Sequence, residues 1–387
     1  MRIGIDARSI LNPEKGDAIG IGHYTYQLVR HLLKNDQENE YVIFFDFRVR
    51  EKDVKKFTKP NTKIVFFPFS DYKRYMPGAY SEILVTATLQ REKLDVLHTA
   101  SFVNRIPLGY RGKTVVTFHD MSMYNIPECL PTTRYIANKT IAKLMARRAD
   151  KIIAVSNYLR EDLEKFLKVE DEKISLVYSG LDERFFENPD ADAAKVLGKL
   201  GIGKKYILFL GTLEPSKNIA RLLNAFSDFK ERQKQKNSDK FDYQLVLAGK
   251  EGWRSQEYRQ IAKDMGISND VVFTGYVVGD DLVPLFKNAE FFIMPSLYEG
   301  FGMTVLEAFA TQTPAIISRV SSLPELAGDA AYYINPLDTE EMTNAMILFA
   351  ENEDVRSKYK SAGFEQAKKF DWNKCALETL EIYKSLK

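Results

Sequence analysis

The chain has 387 residues with a formal net charge of +2, and 45% of them are hydrophobic. This length predicts two domains, since single hydrophobic cores rarely grow so large. The balanced charge argues against nucleic acid as a partner, and two cysteines, Cys129 and Cys375, are too few for a disulfide framework or a zinc cluster. No apolar run reaches the ~18 residues that cross a bilayer, and we expect no signal peptide and a cytoplasmic location.

The first half of the chain alternates β-rich apolar runs with helical patterns. The predicted strands are Ile3–Asp6, Val42–Phe45, Ile64–Phe67, Val96–His98, Thr114–Phe118, Ile152–Val155 and Ile174–Tyr178. The predicted helices are His23–Leu33, Ser81–Gln90, Thr132–Ala149 and Asn157–Leu167. Alternating strands and helices predict a parallel sheet that is covered by helices on both faces.

A segment rich in glycine and charge, Ser179–Lys205, separates this half from a second one with the same rhythm. A short helix near Ala191–Leu200 is expected inside it. The strands predicted next are Tyr206–Leu210, Gln244–Ala248, Val271–Thr274, Phe291–Met294, Ala315–Ile317 and Ala331–Ile334. The helices are Asn218–Arg232, Ser255–Met265, Asp280–Asn288, Thr304–Thr311, Ser321–Leu326, Thr339–Ala350, Asp354–Lys369 and Trp372–Leu386.

The stretch Met294–Ser318 combines a strand, a glycine turn, a helix and a second strand. Gly300 and Gly302 allow the backbone to approach a ligand, and a helix that begins near Met303 offers free N–H groups to a phosphate. Glu307, about one turn into this helix, suits a pair of hydroxyls such as a ribose diol, and Glu299 could accept from the hydroxyls of a second ring. The alternative is an ordinary loop with carboxylates on a helix surface.

Tyr298–Gly302 together with Glu307 resembles the E-x7-E motif of retaining GT-B glycosyltransferases of family 4. Other segments that resemble this family are Gly20–Val29, Thr117–Ser122, Gly211–Asn218, Ser321–Asp338 and Phe370–Leu386. The resemblance runs nearly from end to end, so it is specific for the family and says little about the substrate.

The resemblance implies an α/β fold of two Rossmann-like, doubly wound domains that face each other across a cleft. Residues 1–187 would form the acceptor-side domain, residues 188–370 the domain for the nucleotide-sugar donor, and the last helix, within residues 371–387, would cross back to the first domain. The implied function is transfer of a hexose, with retention, to a saccharide or a lipid-linked saccharide in surface glycan synthesis. The loop at Gly211–Asn218 resembles mannosyltransferases, which favours GDP-mannose, and a UDP-hexose is the alternative.

The resemblance also assigns site residues. It implies catalytic roles for His119, near the reacting carbon of the sugar, and for Glu299. The implied donor-binding residues are Gly20, Gly22, Thr212, Lys217, Tyr276, Gly300, Phe301, Gly302, Met303, Thr304 and Glu307. Tyr276 fits a core position equally well, and His23 is a further candidate for the lining. No metal and no other cofactor is expected, since Lys217 and the helix N-terminus would hold the diphosphate.

One position departs from the family. Many relatives carry a basic residue where this chain has Ser216, which can donate a hydrogen bond but brings no charge. Either another cation, such as Arg8 or Lys250, compensates, or the diphosphate is held more weakly.

The predicted helix at Thr132–Ala149 lies in a basic run that ends at Lys151. Its cations are Arg134, Lys139, Lys143, Arg147, Arg148 and Lys151, against one acid, Asp150. One interpretation is an amphipathic helix with a solvated basic side. The other is a patch that docks on anionic lipid at the inner face of the membrane, where each cation contributes about 1 kcal/mol.

Two other classes of protein remain open. One is another enzyme on this fold: a nucleotide-sugar epimerase, or a phosphorylase, for which no pyridoxal-phosphate lysine site is evident. The other is a nucleotide-sugar-binding subunit without activity. Ser216 favours that subunit, whereas His119, Lys217, Glu299 and Glu307 argue against it.

Overall fold

The structure is a computed structural model that describes residues 1–12, 20–67, 78–187, 193–235 and 242–387. The chain divides into two compact units. Unit 1 contains Met1–Met121, Thr133–Gly180 and Asp371–Lys387, and unit 2 contains Ser122–Thr132 and Leu181–Phe370. None of the helices in the described ranges combines the length and the apolarity needed to cross a membrane.

Each unit is built on a parallel sheet. In the described residues, the seven strands of unit 1 are β1 (Arg2–Asp6), β2 (Glu40–Asp46), β3 (Thr62–Phe67), β4 (Val96–Thr99), β5 (Lys113–Phe118), β6 (Lys151–Ala154) and β7 (Ile174–Leu176). The six of unit 2 are β8 (Lys205–Leu210), β9 (Tyr243–Ala248), β10 (Val271–Gly275), β11 (Phe291–Met294), β12 (Ala315–Ser318) and β13 (Tyr332–Ile334). Their spatial orders are β3-β2-β1-β4-β5-β6-β7 and β10-β9-β8-β11-β12-β13.

Helices lie between most successive strands, whereas residues 100–112 join β4 to β5 without a helix. The helices of the described chain, in order, are α1 (Gly20–Asn35), α2 (Glu51–Val54), α3 (Gly78–Arg91), α4 (Ser122–Asn125), α5 (Thr132–Arg148), α6 (Asn157–Leu167), α7 (Ala193–Lys199) and α8 (Ile219–Gln235). They continue with α9 (Ser255–Asp264), α10 (Leu282–Lys287), α11 (Met303–Ala310), α12 (Leu323–Ala327), α13 (Thr339–Glu351), α14 (Glu353–Ala367) and α15 (Trp372–Lys384). Single 3₁₀ turns include Lys55–Phe57, Pro127–Cys129 and Pro215–Lys217.

The apolar runs of the sequence form the two cores. The central strands β4, β9, β11 and β12 are buried along their whole length, as strands covered on both faces must be. In unit 2 they pack against the apolar faces of α8 and α13, where Phe226, Phe229 and Phe349 are completely buried. The predicted α/β architecture with two doubly wound sheets is therefore confirmed.

The predicted elements are all present among the described residues, with shifts at their ends. Helix α1 begins at Gly20, about one turn before the predicted start. The turns Glu51–Phe57 and Ser122–Cys129 were not predicted, because they are too short to show a hydrophobic period. Helix α12 begins two residues late, since Ser321 adopts a left-handed conformation with φ of 50°.

The chain passes from unit 1 to unit 2 between Gly180 and Leu181, whereas the sequence places the domain boundary after Glu187. The N–H of Leu181 donates to the carbonyl of Phe370 at 3.1 Å, so Leu181–Glu187 already belong to unit 2. A Cβ on Gly180 would lie 2.2 Å from the backbone nitrogen of Trp372, which explains the glycine at this crossing. Pro189, in the predicted linker, lies outside the described residues.

Candidate active site

The order of strands locates a candidate site in unit 2. Strands β8 and β11 are neighbours, and the connections that follow them lead to opposite halves of the sheet. Ligands of such sheets bind beyond the carboxyl ends of the strands at this switch point. The loop after β8 carries Thr212 and Lys217, and the loop after β11 carries Glu299. A hydrogen bond of 2.8 Å from the N–H of Leu297 to the carbonyl of Ser216 joins these two loops.

Lys217 and Glu299, which are 82 residues apart in the sequence, form an ion pair at this point. The Nζ atom of Lys217 lies 2.6 Å from Oε1 of Glu299, and the Oγ of Ser296 donates to the same oxygen at 2.7 Å. The two charged side chains are only 18% and 12% exposed. Oε2 of Glu299 accepts no hydrogen bond from any described residue, so this oxygen is free to bind a hydroxyl.

Two serines hold the turn that contains Glu299. The N–H of Glu299 donates to the Oγ of Ser321 at 2.9 Å. The Oγ of Ser322 lies 2.9 Å from the carbonyl oxygens of both Glu299 and Phe301. Sequence reasoning missed these serines and Ser296. The signal available was their side-chain chemistry, because serines satisfy backbone groups in irregular turns.

Gly302 connects this turn to helix α11. Its φ of 105° lies in a region that glycine adopts readily and other residues rarely adopt. A Cβ added to Gly302 would lie 2.8 Å from Cδ2 of Leu323. The helix begins at the next residue, Met303, with no side-chain cap and no acidic residue in its first turn. The N–H groups of Met303 and Thr304 therefore lack helical partners and carry the positive end of the helix dipole, which suits an anion.

Glu307 is 8% exposed, so it is not the surface carboxylate that the alternative interpretation required. Burial raises the pKa of Glu307 to about 8. The charge of Arg184 lowers this pKa, and the charge of Asp182 raises it, both by less than burial does. No described residue hydrogen-bonds to its carboxyl group. Near neutral pH this group is mainly protonated, and it can both donate to and accept from the two hydroxyls of a diol.

The remaining predicted residues of unit 2 follow neighbouring strands. Thr212 is half-buried just after β8. Tyr276 follows β10 and is 49% exposed, which excludes the core position considered for it. Ser216 is buried, and its Oγ donates to Oε1 of Glu214 at 2.9 Å. Within the described ranges, no group of three His, Cys, Asp or Glu side chains is arranged to hold a metal ion.

The two cations considered as substitutes at Ser216 differ in their surroundings. Arg8, in unit 1, pairs with Asp6 through Nη2 and Oδ2 at 2.6 Å, so its charge is already neutralised. Lys250 is exposed, and its carbonyl accepts from the N–H of Leu213, in the loop that carries Lys217, at 2.9 Å. No acidic side chain pairs with Lys250 in the described part of the chain. Lys250 is therefore the better placed of the two.

His119, in unit 1, follows β5. Its Nε2 lies 2.8 Å from the carbonyl of Ala100, which can only accept, so Nε2 carries the proton and Nδ1 is an acceptor. Burial lowers the pKa of His119 to about 4, partly offset by the hydrogen bond to Ala100. The ring of Tyr24 packs edge-on against it at 4.5 Å between centroids. His119 is thus a neutral imidazole with a defined tautomer.

Gly20 and Gly22 lie in the first turn of α1, and Gly20 has a φ of 65°. His23, the extra candidate for the lining, is buried and packs against the ring of Trp372 at 6.2 Å. The structure therefore places His23 in the core of unit 1. Residues 13–19, which precede α1 in the sequence, lie outside the described residues.

A buried network below His119 was not predicted. His98 on β4 lies with Nδ1 2.6 Å from the hydroxyl of Tyr383 and with Nε2 2.8 Å from the hydroxyl of Thr117. Thr117 is two residues before His119 on β5, and Tyr383 lies on α15. The network therefore joins α15 to β5, the strand that His119 follows.

Comparisons with known proteins agree with this geometry. Residues 194–366 match the family described as glycosyl transferases group 1, and residues 19–185 match glycosyltransferase family 4. The O-antigen chain mannosyltransferase B of Escherichia coli is 27% identical over 383 residues, which cover 97% of this chain and 98% of that protein.

Solved structures show the same architecture. Sucrose-phosphate synthase of Thermosynechococcus elongatus superimposes with a TM-score of 0.76 at 19% identity, over 100% of this chain and 99% of that one. The Anabaena protein HepE, in complex with UDP and glucose, superimposes with a TM-score of 0.74 at 18% identity, over 100% of both chains. The two family matches identify the chain as a glycosyltransferase, and its fold is that of the GT-B class. The chain belongs to the glycosyltransferases of family 4 and group 1, as the resemblance of its motifs predicted.

Proposed function

We propose that this enzyme transfers a hexose from a nucleotide diphosphate sugar to a saccharide hydroxyl, with retention at the anomeric carbon. The observation that carries the proposal is the environment of Glu299. One oxygen of its carboxylate is occupied by Lys217 and Ser296, and the other is free beside the N-terminus of α11. This arrangement supports a role for Glu299 as an acceptor for sugar hydroxyls, next to two groups that would bind a diphosphate.

The diphosphate leaving group would be held by Lys217 and by the free N–H groups of Met303 and Thr304. A lysine ammonium has three donors, so Lys217 can keep its bond to Glu299 and also bind a phosphate oxygen. Charge that develops on the leaving group would then meet groups that are already oriented, which lowers the barrier without reorganisation. Lys250 would add the charge that Ser216 lacks.

The nucleoside would extend from α11 towards Tyr276. Glu307, in its protonated form, would hold the ribose diol by donating to one hydroxyl and accepting from the other. Tyr276, at the end of β10, is exposed and available to the base. Gly300, Phe301, Gly302 and Thr212 would form the wall along which the diphosphate and the sugar lie.

His119 would contact the transferred sugar from unit 1, together with Gly20 and Gly22 near the diphosphate. Its unprotonated Nδ1 can accept from a sugar hydroxyl or stabilise positive charge at the anomeric carbon. Exclusion of water around the bound donor would limit its hydrolysis. Residues 188–370 would thus serve the donor, and residues 1–187 with 371–387 the acceptor, which would also contact the loop of Leu297.

GDP-mannose is the donor we favour, and a UDP-hexose is the second candidate. The E. coli relative that matches along its whole length is a mannosyltransferase, whereas HepE was solved with UDP and glucose. A thermal-shift screen of the full chain against GDP-mannose, UDP-glucose, ADP-glucose and dTDP-glucose tests the choice. We expect the largest rise in Tm with GDP-mannose. Stabilisation by none of the four would contradict the proposed function.

The acceptor is proposed to be a growing surface saccharide, free or lipid-linked. A cavity of about 500 Å³ in unit 2 opens beside the loop of Glu299, with Leu297 in its wall. Glu128, Arg319 and Asn335 line it as well. Carboxylate, guanidinium and amide groups around apolar side chains suit the hydroxyls and faces of a sugar.

Helix α5 is proposed to bring the enzyme to anionic lipid at the cytoplasmic face of a membrane. Arg134, Lys139, Lys143 and Arg147 are exposed, and Ile136 among them is 57% exposed. Arg148 and Lys151 contribute less, because they donate to carbonyl groups of Pro107 and Glu172. Exposed cations around an apolar side chain are the arrangement that favours binding to an interface.

A further inference from the structure

A second cavity, of about 620 Å³, lies on unit 1 and takes no part in the proposed transfer. It is enclosed by α1 and by the segment that follows α2, residues 55–60. Its aromatic and cationic lining residues are Tyr26, Arg30, Lys34, Lys56, Phe57 and Lys59. We call this cavity the basic groove.

The charge of the basic groove is one-sided. Four cations line it and none of its lining residues is acidic, although the whole chain is nearly balanced with 55 basic and 53 acidic residues. In the described part of the chain, no acidic side chain pairs with Arg30, Lys34 or Lys59. A solvated surface of ordinary composition would mix both signs, and cations that converge on one cavity raise the local concentration of anions.

Helix geometry explains why the cations converge. Tyr26, Arg30 and Lys34 are four residues apart along α1, so their side chains share one stripe of the helix. Lys56 approaches this stripe from the opposite segment, and its Nζ lies 4.6 Å from the centre of the Tyr26 ring.

Aromatic rings form the apolar part of the basic groove. Phe57 is 2% exposed, and its ring packs edge-on against that of Tyr26 at 5.5 Å. The Nζ of Lys56 is also 5.9 Å from the Phe57 ring, so the rings help to hold this cation. A ligand would therefore meet positive charge and an apolar surface within one cavity.

We propose that the basic groove binds a phosphate-bearing ligand, either a soluble phosphorylated saccharide or the headgroup of an anionic lipid. Four cations exceed what a single carboxylate requires, and they match the multiple charge of a phosphate or a diphosphate group. The ring of Tyr26, which packs on the buried ring of Phe57, provides a surface for the sugar ring or the chain that carries the phosphate. This site is separate from the proposed diphosphate site at Lys217, which belongs to unit 2.

The test measures binding of inorganic pyrophosphate to the full chain by calorimetry at 50 mM salt. The parent is Lys217→Ala, so that the proposed donor site does not contribute. We expect Lys34→Gln, Lys56→Gln and Lys59→Gln together to weaken binding at least tenfold. Arg134→Gln, Lys139→Gln and Lys143→Gln on α5 remove the same charge, and we expect them to change the affinity less than twofold. All six residues are exposed, and circular dichroism checks that both triple variants fold.

A vesicle arm distinguishes the two sources of phosphate. Sedimentation compares vesicles of phosphatidylcholine with vesicles that also contain phosphatidylglycerol. If the triple variant of the groove loses binding to the anionic vesicles, a lipid headgroup is the ligand. If only pyrophosphate binding falls, the ligand is soluble. The proposal is overturned if the variant of the groove matches its parent in both arms, or if the two triple variants weaken binding of pyrophosphate equally.

Discussion

At the scale of single residues, the site depends on how two carboxylates are surrounded. Glu299 is charge-compensated on one oxygen by Lys217, and its other oxygen is open. Glu307 has no cation within hydrogen-bonding distance, so burial dominates its pKa. The same residue type therefore supplies a lysine-paired carboxyl group for the proposed sugar contact and a mainly neutral one for the proposed ribose contact.

Lys217→Ala should weaken binding of the nucleotide diphosphate at least tenfold, about 1.4 kcal/mol, because its ammonium group would be the principal charge at the proposed diphosphate site. Lys250→Gln is the comparison, and we expect a smaller loss of about threefold because this side chain is exposed. Calorimetry with the nucleotide identified by the thermal-shift screen measures both. Equal affinity of wild type and Lys217→Ala would remove Lys217 from the diphosphate site.

Glu307→Gln should make the protein less sensitive to alkaline pH. The pKa of Glu307 is about 8 when folded and about 4.5 when unfolded, so the folded state binds more protons between these values and its stability falls as pH rises through this window. Glutamine cannot ionise and avoids this loss. Relative to wild type, the variant should gain at least about 1.4 kcal/mol between pH 5 and pH 8.5, the equivalent of one pKa unit.

Urea denaturation at the two pH values measures this gain, and nucleotide binding by the same variant provides the functional readout. We expect binding within about threefold of wild type near neutral pH, since the glutamine amide donates from its NH2 group and accepts at its oxygen, as the protonated carboxyl group does. A pH-independent difference in stability between the variant and wild type would show that Glu307 does not titrate in this window.

At the scale of elements, the turn from β11 to α11 has a restricted backbone conformation. Gly302 occupies a region of φ that side chains avoid, and Ser321 and Ser322 hold the backbone of the preceding residues. The helix N-terminus can bind an anion only if this turn leaves its first N–H groups uncovered. The turn therefore links local backbone geometry to the proposed chemistry.

Gly302→Ala should lower the free energy of unfolding by about 1–3 kcal/mol, from a strained φ and from contact of the new Cβ with Leu323. Gly198→Ala in α7 is the control. There no atom lies within 4 Å of the added Cβ, and we expect no loss or a gain of up to about 1 kcal/mol. Chemical denaturation of both variants checks the pair. Equal stability of Gly302→Ala and wild type would contradict the proposed rigidity of the turn.

At the scale of the whole molecule, the chain builds two doubly wound units and returns to the first one with α15. The network of His98, Thr117 and Tyr383 anchors this helix to the strand of His119. Two basic surfaces remain on unit 1, namely α5 and the basic groove, and neither belongs to the proposed donor site.

Helix α5 should contribute to binding of anionic membranes. Replacing Arg134, Lys139 and Lys143 by glutamine should reduce binding to vesicles with phosphatidylglycerol at least tenfold, at about 1 kcal/mol for each cation near the surface. Binding should also weaken as salt rises, since these side chains are exposed. Sedimentation at 50 and 300 mM salt measures both effects. Equal binding of wild type to neutral and anionic vesicles would leave only a solvated helix face.

By itself, the sequence determined the order of strands and helices, because apolar periodicity and turn residues act over a few positions. The motifs also identified Lys217, Glu299 and Glu307, since each lies on a loop or a helix that follows a predicted strand. Some features were not predicted because the element is too short to show a hydrophobic period, as at Glu51–Phe57. Others were not predicted because the residue acts through a partner that is distant in the sequence. Ser322, for example, is 23 residues from the Glu299 carbonyl that it binds.

Only the tertiary structure decided how these residues act. The pairing of Lys217 with Glu299 requires β8 and β11 to be neighbours, and the pKa of Glu307 depends on everything that packs around it. The boundary between the two units at Leu181 also involves a distant contact, the hydrogen bond from the N–H of Leu181 to the carbonyl of Phe370. The physical reason is that local conformation follows from local residues, whereas charge pairing, desolvation and the convergence of loops arise from contacts between segments that are far apart in the chain.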